Sequence, residues 1–380
     1  MNELPAESAP HHGSPLARWS CLAWVAMTVY ASLTPFSNWQ DRGVSPWSYI
    51  VAPWPAHVTA FDVAVNVAGY VPLGALIVLA LHPRLRGVAA VVVATLAGLL
   101  LSAMVEAIQT YLPSRVASNV DVMTNTLGAL LGAGAAARFA TAIVDRGRIV
   151  QLRRRWFRSD DALGLTLAAL WPLAQVHPSS ALFGIGHFEA LPALVRNLED
   201  VAGFDGPNPV IPLVEASDFV LAEAAITTTG LLAAGLGIAA TLQRHAPRVA
   251  LLVAWIAVAL GCRIAAYGVA FGPENAFAWS TRGALGGLLL GGFSLLAAST
   301  APARLLPRLA LTCTMALLLE VNLVPENPYH EAWLQQWSPG HLRNLDAAAA
   351  WLATLWPVAW LAWAVARRRG APRAAPRTGP

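Results

Sequence analysis

The chain has 380 residues, of which 56% are hydrophobic and only 12% are charged, with a formal net charge of +4. This composition supplies more apolar surface than one water-soluble core can bury, so it excludes an ordinary soluble domain and predicts an all-α, polytopic membrane protein. The basic residues are all arginine and cluster at the ends of apolar segments. Anionic lipid headgroups satisfy arginines at such positions, so the charge gives no reason to expect nucleic acid as a partner.

Apolar segments of roughly 18 to 25 residues, the length that crosses the hydrocarbon core, follow one another along the chain. We expect about ten transmembrane helices at 19–36, 62–82, 87–111, 121–142, 161–182, 217–242, 248–271, 281–300, 303–323 and 346–366. The organisation predicted from them is a cytoplasmic N-terminal tail (1–18), a four-helix membrane module (19–142), an Arg-rich cytoplasmic loop (143–160), a six-helix membrane region (161–366) and a basic cytoplasmic tail (367–380).

The distribution of arginine along the chain predicts orientation. Most arginines fall in alternate connections, which include 143–160 and the C-terminal tail, whereas the connection 183–216 is acidic. Cytoplasmic loops retain positive charge, so we predict a multi-pass protein of the bacterial inner membrane with both termini in the cytoplasm. The Arg-rich loop is then an ordinary orientation signal, with a partner-binding role as the alternative. The loop 183–216 contains an amphipathic stretch around Leu191 to Val201, which favours a short surface helix.

Polar residues recur at helical spacing at the outer ends of the second, third and fourth predicted helices. They are Asp62, Asn66, Glu106, Gln109, Arg115, Asp121 and Asn125. An ionisable residue within a membrane helix is costly and marks a candidate functional site. Three pairs each lie on one helix, and their members are three or four positions apart, so that each pair shares a face. The pairs are Asp62 with Asn66, Glu106 with Gln109, and Asp121 with Asn125. Because the predicted topology brings three helix ends to one outer mouth, we expect these residues to form one cluster.

Small residues and one proline accompany the polar ones. Gly128 and Gly132 form a small-xxx-small pair that predicts close packing of a neighbouring backbone, and Gly74 has the same expected role. Pro72 is expected to kink the second helix and to release a carbonyl near its middle.

Three interpretations of the polar row remain open. It is a structural clamp that fastens helices together, or an outward-facing pocket in which Arg115 holds an anionic headgroup, or a catalytic site with Glu106 or Asp121 as general base or acid. Arg115 is the only basic residue between the third and fourth predicted helices, where it is placed to reach back to Glu106 or across to Asp121. Pairs of histidine or cysteine with metal-ligand spacing and nucleotide-binding glycine loops are not found, so we expect neither a metal nor a cofactor.

The ordered set of motifs resembles the VanZ-like family of bacterial membrane proteins over about residues 19–140. It consists of Asn66-x5-Pro72-Leu73-Gly74, then Glu106-x2-Gln109, then Arg115-x5-Asp121-x3-Asn125-x2-Gly128-x3-Gly132, preceded by Leu33-Thr34-Pro35-Phe36. The resemblance implies a compact four-helix module of the cell envelope in a family named for low-level teicoplanin resistance, with no established catalytic reaction. Some members carry an additional acidic residue where this chain has Ser118 and Asn119, which weakens any two-carboxylate scheme.

Two functions follow as hypotheses. The first is an accessory or ligand-binding role at the outer face, with membrane lipids and an anionic lipid-linked precursor as partners, that alters envelope or teicoplanin-type glycopeptide sensitivity. The alternative is a membrane enzyme acting on a lipid-linked or polysaccharide precursor, with Glu106 or Asp121 as acid or base and Arg115 as anion clamp. In the six-helix region, Arg263 is expected to pair with Glu223 or Glu320, and a glycine ridge at positions 283, 287 and 291 predicts tight packing.

Overall fold

The computed structural model describes residues 14–34, 36–55, 58–141, 143–144, 148–188, 219–324 and 343–369. The chain forms two compact units, Met1–Arg155 and Trp156–Pro380. The described residues are helical apart from turns, irregular segments and one isolated β-bridge, between Phe157 and Leu242. The prediction of an all-α fold is confirmed. The structure does not describe most of the predicted loop 183–216, its amphipathic stretch at 191–201, most of the connection 324–345 between the last two predicted helices, or most of both tails.

Four long helices make up the first unit. They are α1 (Pro15–Leu33), α2 (Ala60–Leu81), α3 (Gly87–Gln109) and α4 (Asn119–Thr141), with a short 3-10 helix at Ser48–Val51 between α1 and α2. The segment predicted as an Arg-rich loop contains a further short helix, α5 (Arg148–Trp156).

Local sequence explains where α2 begins. Thr59 is its N-cap, and its hydroxyl accepts a hydrogen bond from the Asp62 backbone N–H at 3.1 Å, while the Asp62 carboxylate accepts from the Thr59 N–H at 3.1 Å. This reciprocal capping box satisfies two of the amide groups that a helix N-terminus leaves without partners. The helix continues through Pro72, and the nearby Gly69 carbonyl accepts from the Trp24 indole at 2.9 Å.

The two faces of α3 differ in side-chain size. Large apolar side chains at four-residue spacing, including Val88, Leu96 and Leu100, are exposed, whereas the residues at positions 90, 94, 98 and 102 are alanine, glycine and serine facing the interior. Small residues let helices approach closely in a membrane, and the exposed apolar stripe is suited to lipid chains. The alternation therefore positions α3 between lipid and its neighbouring helices.

The backbones of α2 and α4 are in direct contact. A Cβ atom on Gly128 would collide with the carbonyl of Val67, one on Gly132 with the carbonyl of Val71, and one on Gly74 with the main chain of Ala129. The close approach predicted for these glycines is therefore confirmed. It fixes the register of the two helices that carry Asn66 and Asp121.

The second unit contains six α-helices in its described part, and a short 3-10 helix at Pro273–Asn275. The α-helices are α6 (Ala162–Ala174), α7 (Phe219–Thr241), α8 (Arg248–Phe271), α9 (Arg282–Ser299), α10 (Leu306–Leu323) and α11 (Arg343–Arg369). Its core is rich in tryptophan: Trp171, Trp356 and Trp360 are fully buried, and the indole N–H groups of the last two donate to the carbonyls of Leu167 and Ala233. The glycine ridge of α9 packs against α7, as predicted, with Gly287 against Ala224 and Thr227.

Seven helices in the described residues are long and apolar enough to cross a membrane: α2, α3, α7, α8, α9, α10 and most of α11. The prediction of a continuous span at 161–182 is wrong. Its helix, α6, has 13 residues, or about 20 Å at 1.5 Å per residue, which falls short of a hydrocarbon core of about 30 Å. The count of ten transmembrane helices is therefore not confirmed, although α1 and α4 have the necessary length.

Residues 175–188, which follow α6, are irregular but largely buried. Arg263 supplies hydrogen-bond donors to their main chain. Its guanidinium, 1% exposed, donates to the carbonyls of His177 and Ser179 at 2.6 Å and lies 4.9 Å from the Tyr267 ring centre. The predicted ion pair of Arg263 with an acidic residue is therefore wrong. Glu223 instead accepts from the Thr281 hydroxyl at 2.5 Å, and Glu320 accepts from the Thr229 hydroxyl at 3.2 Å.

Candidate functional site

The polar residues singled out by the sequence lie at one end of the first unit. At this end α2 and α4 begin, α1 and α3 end, and residues 110–118 connect α3 to α4. We call Asp62, Asn66, Glu106, Gln109, Arg115, Asp121 and Asn125 the polar cluster. Each of its members is described in the structure, and each can be assigned hydrogen-bond partners.

Asn66 and Asp121 link α2 to α4. The Asn66 amide donates from Nδ2 to Asp121 Oδ1 at 2.9 Å, and both side chains are half-buried. One turn earlier on α2, the Asp62 carboxylate accepts from the Thr59 hydroxyl at 2.7 Å as part of the capping box. Asp62 therefore has a structural role at the start of α2 that its sequence position alone explains.

Glu106 is buried, at 3% exposure, and faces the main chain of the α3–α4 connection. Its Oε2 accepts from the backbone N–H of Ser118 at 2.8 Å. Ser118 is the residue before α4, and its hydroxyl accepts from the Asp121 N–H at 3.3 Å, which caps the helix. Glu106 and Asp121 are thus connected through Ser118.

Gln109 and Arg115 bind the C-terminal end of α1. The Gln109 amide donates to the Ser32 carbonyl at 2.8 Å. Arg115 donates from Nη2 to the carbonyls of Ala31 at 3.1 Å and Thr34 at 2.8 Å. The last carbonyls of a helix have no partner within it, so these side chains supply the missing donors. The expectation that Arg115 binds Glu106 or Asp121 is replaced by this role.

Asn125 lies in the second turn of α4. It is 7% exposed, and its Nδ2 donates to the hydroxyl of Ser102 on α3 at 3.0 Å, while its Oδ1 is buried without a hydrogen-bond partner. Asn125 thereby joins α4 to α3. Sequence reasoning missed Ser102, although its position four residues before Glu106 places it on the same face of α3.

The segment between α1 and α2 is attached to the same end of the unit. Tyr49 is buried and its hydroxyl donates to the Ala103 carbonyl at 3.0 Å, and Asn119 donates from Nδ2 to the Ala52 carbonyl at 2.8 Å. The Gln40 N–H donates to the Tyr111 carbonyl at 2.9 Å. Amide and hydroxyl side chains that bind main-chain carbonyls have no distinctive sequence pattern, so these contacts could not be predicted.

The chemistry available to the polar cluster follows from these bonds. Its buried members, Glu106, Gln109 and Asn125, are held by groups on other helices or connections, and Arg115 is bound to α1. Among the described residues, no group of three or more histidine, cysteine or acidic side chains is arranged to hold a metal ion. The Asn66–Asp121 pair is only half-buried. The Asp121 carboxylate can therefore accept further hydrogen bonds from hydroxyl or amine groups of a ligand.

The first unit is similar to a known protein family. The VanZ/LLP1 family model matches residues 15–140, a range that contains α1 to α4 up to Ala140 and the whole polar cluster. No curated protein and no solved structure matches the chain.

Proposed function

We propose that the chain, whose residues 15–140 match the VanZ/LLP1 family model, is a VanZ-like accessory protein of the bacterial cell envelope. In this proposal the first unit binds an envelope precursor or a glycopeptide at the outer face of the inner membrane, and thereby alters sensitivity to teicoplanin-type antibiotics. Both chain termini lie in the cytoplasm.

The observation that supports the proposal is that the polar cluster has two parts. One part is bound to main-chain groups of the unit and holds its helices together, and the other is the half-buried Asn66–Asp121 pair. Glu106 and Gln109 bind main-chain groups of other parts of the unit, and Arg115 is bound to α1. Groups already engaged in this way stabilise helix packing, since a buried polar group that loses its partner costs about 1 to 3 kcal/mol. Ligand recognition is then assigned to the half-buried Asn66–Asp121 pair, whose carboxylate suits the hydroxyl groups of a sugar.

The enzyme hypothesis has less support from the same contacts. Its anion clamp is Arg115, whose Nε and Nη2 donate to the carbonyls of Ala31 and Thr34 at the end of α1. Its candidate base Glu106 is buried and bound to the Ser118 N–H. A general base must lie within hydrogen-bond reach of the proton that it removes. Of the two carboxylates, Asp121 is the more accessible.

Two substitutions in the full-length protein test the proposal in a strain that lacks the native gene. Glu106→Gln keeps an oxygen that accepts from the Ser118 N–H, so we expect normal protein levels and unchanged glycopeptide sensitivity. Asp121→Ala removes the ligand-facing carboxylate, so we expect sensitivity to match the empty strain while the protein still accumulates. Loss of function in Glu106→Gln at normal protein levels would favour the enzyme hypothesis. Unchanged sensitivity in Asp121→Ala would refute recognition at this pair.

A further inference from the structure

The second unit contains a cleft that is lined by arginine. It has a volume of about 550 Å³ and lies between two helix connections, 242–247 and 300–305. Arg244 and Arg248 line it from the first connection and the start of α8, and Thr300 and Arg304 from the second, together with residues 301–303. None of these lining residues is acidic.

The cleft lies at the ends of membrane-spanning helices. The connection 242–247 joins α7 to α8, and the connection 300–305 joins α9 to α10, and all four helices are long and apolar enough to cross a membrane. The two connections are at the same end, because Arg248 donates from Nη1 to the carbonyl of Ser299 at 2.9 Å. Lipid headgroups occupy this level of a bilayer, since the polar regions flank the hydrocarbon core.

The three guanidinium groups have unused hydrogen-bonding capacity. Arg248 is fixed by its bond to Ser299, yet its Nε is buried without a hydrogen-bond partner. Arg244 and Arg304 are exposed, and neither forms an ion pair with another described residue. A buried donor without a partner is uncommon in folded proteins. Here it is compatible with a group that enters the cleft.

We propose that this arginine cleft binds a phosphate-bearing anion. The guanidinium fork matches phosphate oxygens with two parallel hydrogen bonds, and a volume of this size admits a phospholipid headgroup. An orientation signal alone requires only that arginines lie on one side of the membrane. It requires neither a cleft between two connections nor a guanidinium fixed by a main-chain carbonyl. The inference rests on the second unit and is independent of the function proposed for the first.

Native mass spectrometry of the detergent-solubilised full-length protein tests the proposal. The probes are short-chain phosphatidylglycerol, short-chain phosphatidylcholine and inorganic phosphate. We expect tighter binding of phosphatidylglycerol than of phosphatidylcholine, and the double variant Arg244→Gln/Arg304→Gln should bind it at least about tenfold more weakly. The matched control is Arg308→Gln, since Arg308 is exposed on the first turn of α10 but does not line the cleft. Its affinity should equal that of the wild type.

The competition arm distinguishes the two sources of phosphate. If inorganic phosphate fails to displace phosphatidylglycerol, the ligand is a lipid headgroup. If inorganic phosphate displaces the lipid from the wild type but has no effect on the double variant, the cleft is a site for a soluble phosphate compound. Both results support the proposal. Equal affinities of wild type and double variant, or an equal loss in the Arg308→Gln control, overturn it. Thermal unfolding of each variant verifies that the fold is retained.

Discussion

The guanidinium of Arg115 donates two hydrogen bonds to the carbonyl of Thr34, from Nε at 3.1 Å and from Nη2 at 2.8 Å. This pair attaches the α3–α4 connection to the end of α1. Lysine keeps the charge but lacks the planar fork. We therefore expect Arg115→Lys to lower the free energy of unfolding by about 2 kcal/mol, the typical contribution of a charged hydrogen bond. Denaturant titration of the purified protein in detergent measures the change.

The control for Arg115→Lys is Arg42→Lys, because Arg42 is exposed in the segment between α1 and α2. Its stability should remain that of the wild type. If Arg115→Lys keeps full stability but loses the antibiotic phenotype, Arg115 contacts a ligand, and the clamp interpretation is incorrect for this residue.

Gly132 and Gly134 on α4 offer a matched pair for the packing of the first unit. A Cβ on Gly132 would collide with the main chain of Val71, whereas a Cβ on Gly134 meets nothing within 4 Å. We expect Gly132→Ala to destabilise the unit by about 1 to 3 kcal/mol through overpacking. Gly134→Ala should stabilise it slightly, since alanine favours a helix by roughly 0.5 to 1 kcal/mol over glycine. Similar unfolding midpoints for the two variants would contradict the α2–α4 contact.

Sequence periodicity predicted part of this arrangement well. The spacing of Asn66, Asp121 and Asn125 placed them on facing sides of α2 and α4, and the small residues predicted backbone contact, because both patterns follow directly from helix geometry. The partners of Arg115 could not be predicted, since the acceptors are main-chain carbonyls, which every residue carries. The spacing Thr59-x-x-Asp62 is itself a capping signal, which explains the position of Asp62 by helix initiation.

The short helix α6 shows where hydropathy fails. Residues 161–182 are mostly apolar, although Gln175, His177, Ser179 and Ser180 interrupt the pattern after Ala174. The mean hydropathy over this length does not distinguish a continuous helix from a helix followed by buried irregular chain. What decides the outcome is Arg263, far away in sequence, which supplies donors for the carbonyls of His177 and Ser179. Non-helical backbone at membrane depth requires such internal partners.

The N-cap of α2 gives a test of the role of Asp62. Thr59→Ala removes the hydroxyl that accepts from the Asp62 N–H and donates to its carboxylate. We expect a loss of about 1 kcal/mol in the free energy of unfolding, as for other N-caps, and no change in glycopeptide sensitivity. Sensitivity that changes at unaltered stability would show that the Thr59–Asp62 pair belongs to the ligand surface.

Membrane orientation is checked by reporter fusions. The arginine distribution predicts that a reporter after Arg155 is cytoplasmic and one after Asp205 is periplasmic. Because α6 is too short to cross the bilayer alone, the second fusion also tests whether α6 and the irregular chain after it cross together. A cytoplasmic reporter at Asp205 would mean that this segment turns back within the membrane, and a periplasmic reporter at Arg155 would overturn the orientation of the first unit.

Arg263 is the residue on which we expect the second unit to depend most. Arg263→Met preserves the length of the side chain but leaves the carbonyls of His177 and Ser179 without a donor. The expected loss for the two carbonyls is about 2 to 6 kcal/mol, since each unsatisfied buried group costs about 1 to 3 kcal/mol. Unfolding monitored by tryptophan fluorescence reports on this unit, because Trp171 and Trp356 lie in its core. Arg282→Met is the matched control, because Arg282 is exposed at the start of α9. Equal stability of both variants would show that residues 175–188 hold their place without Arg263.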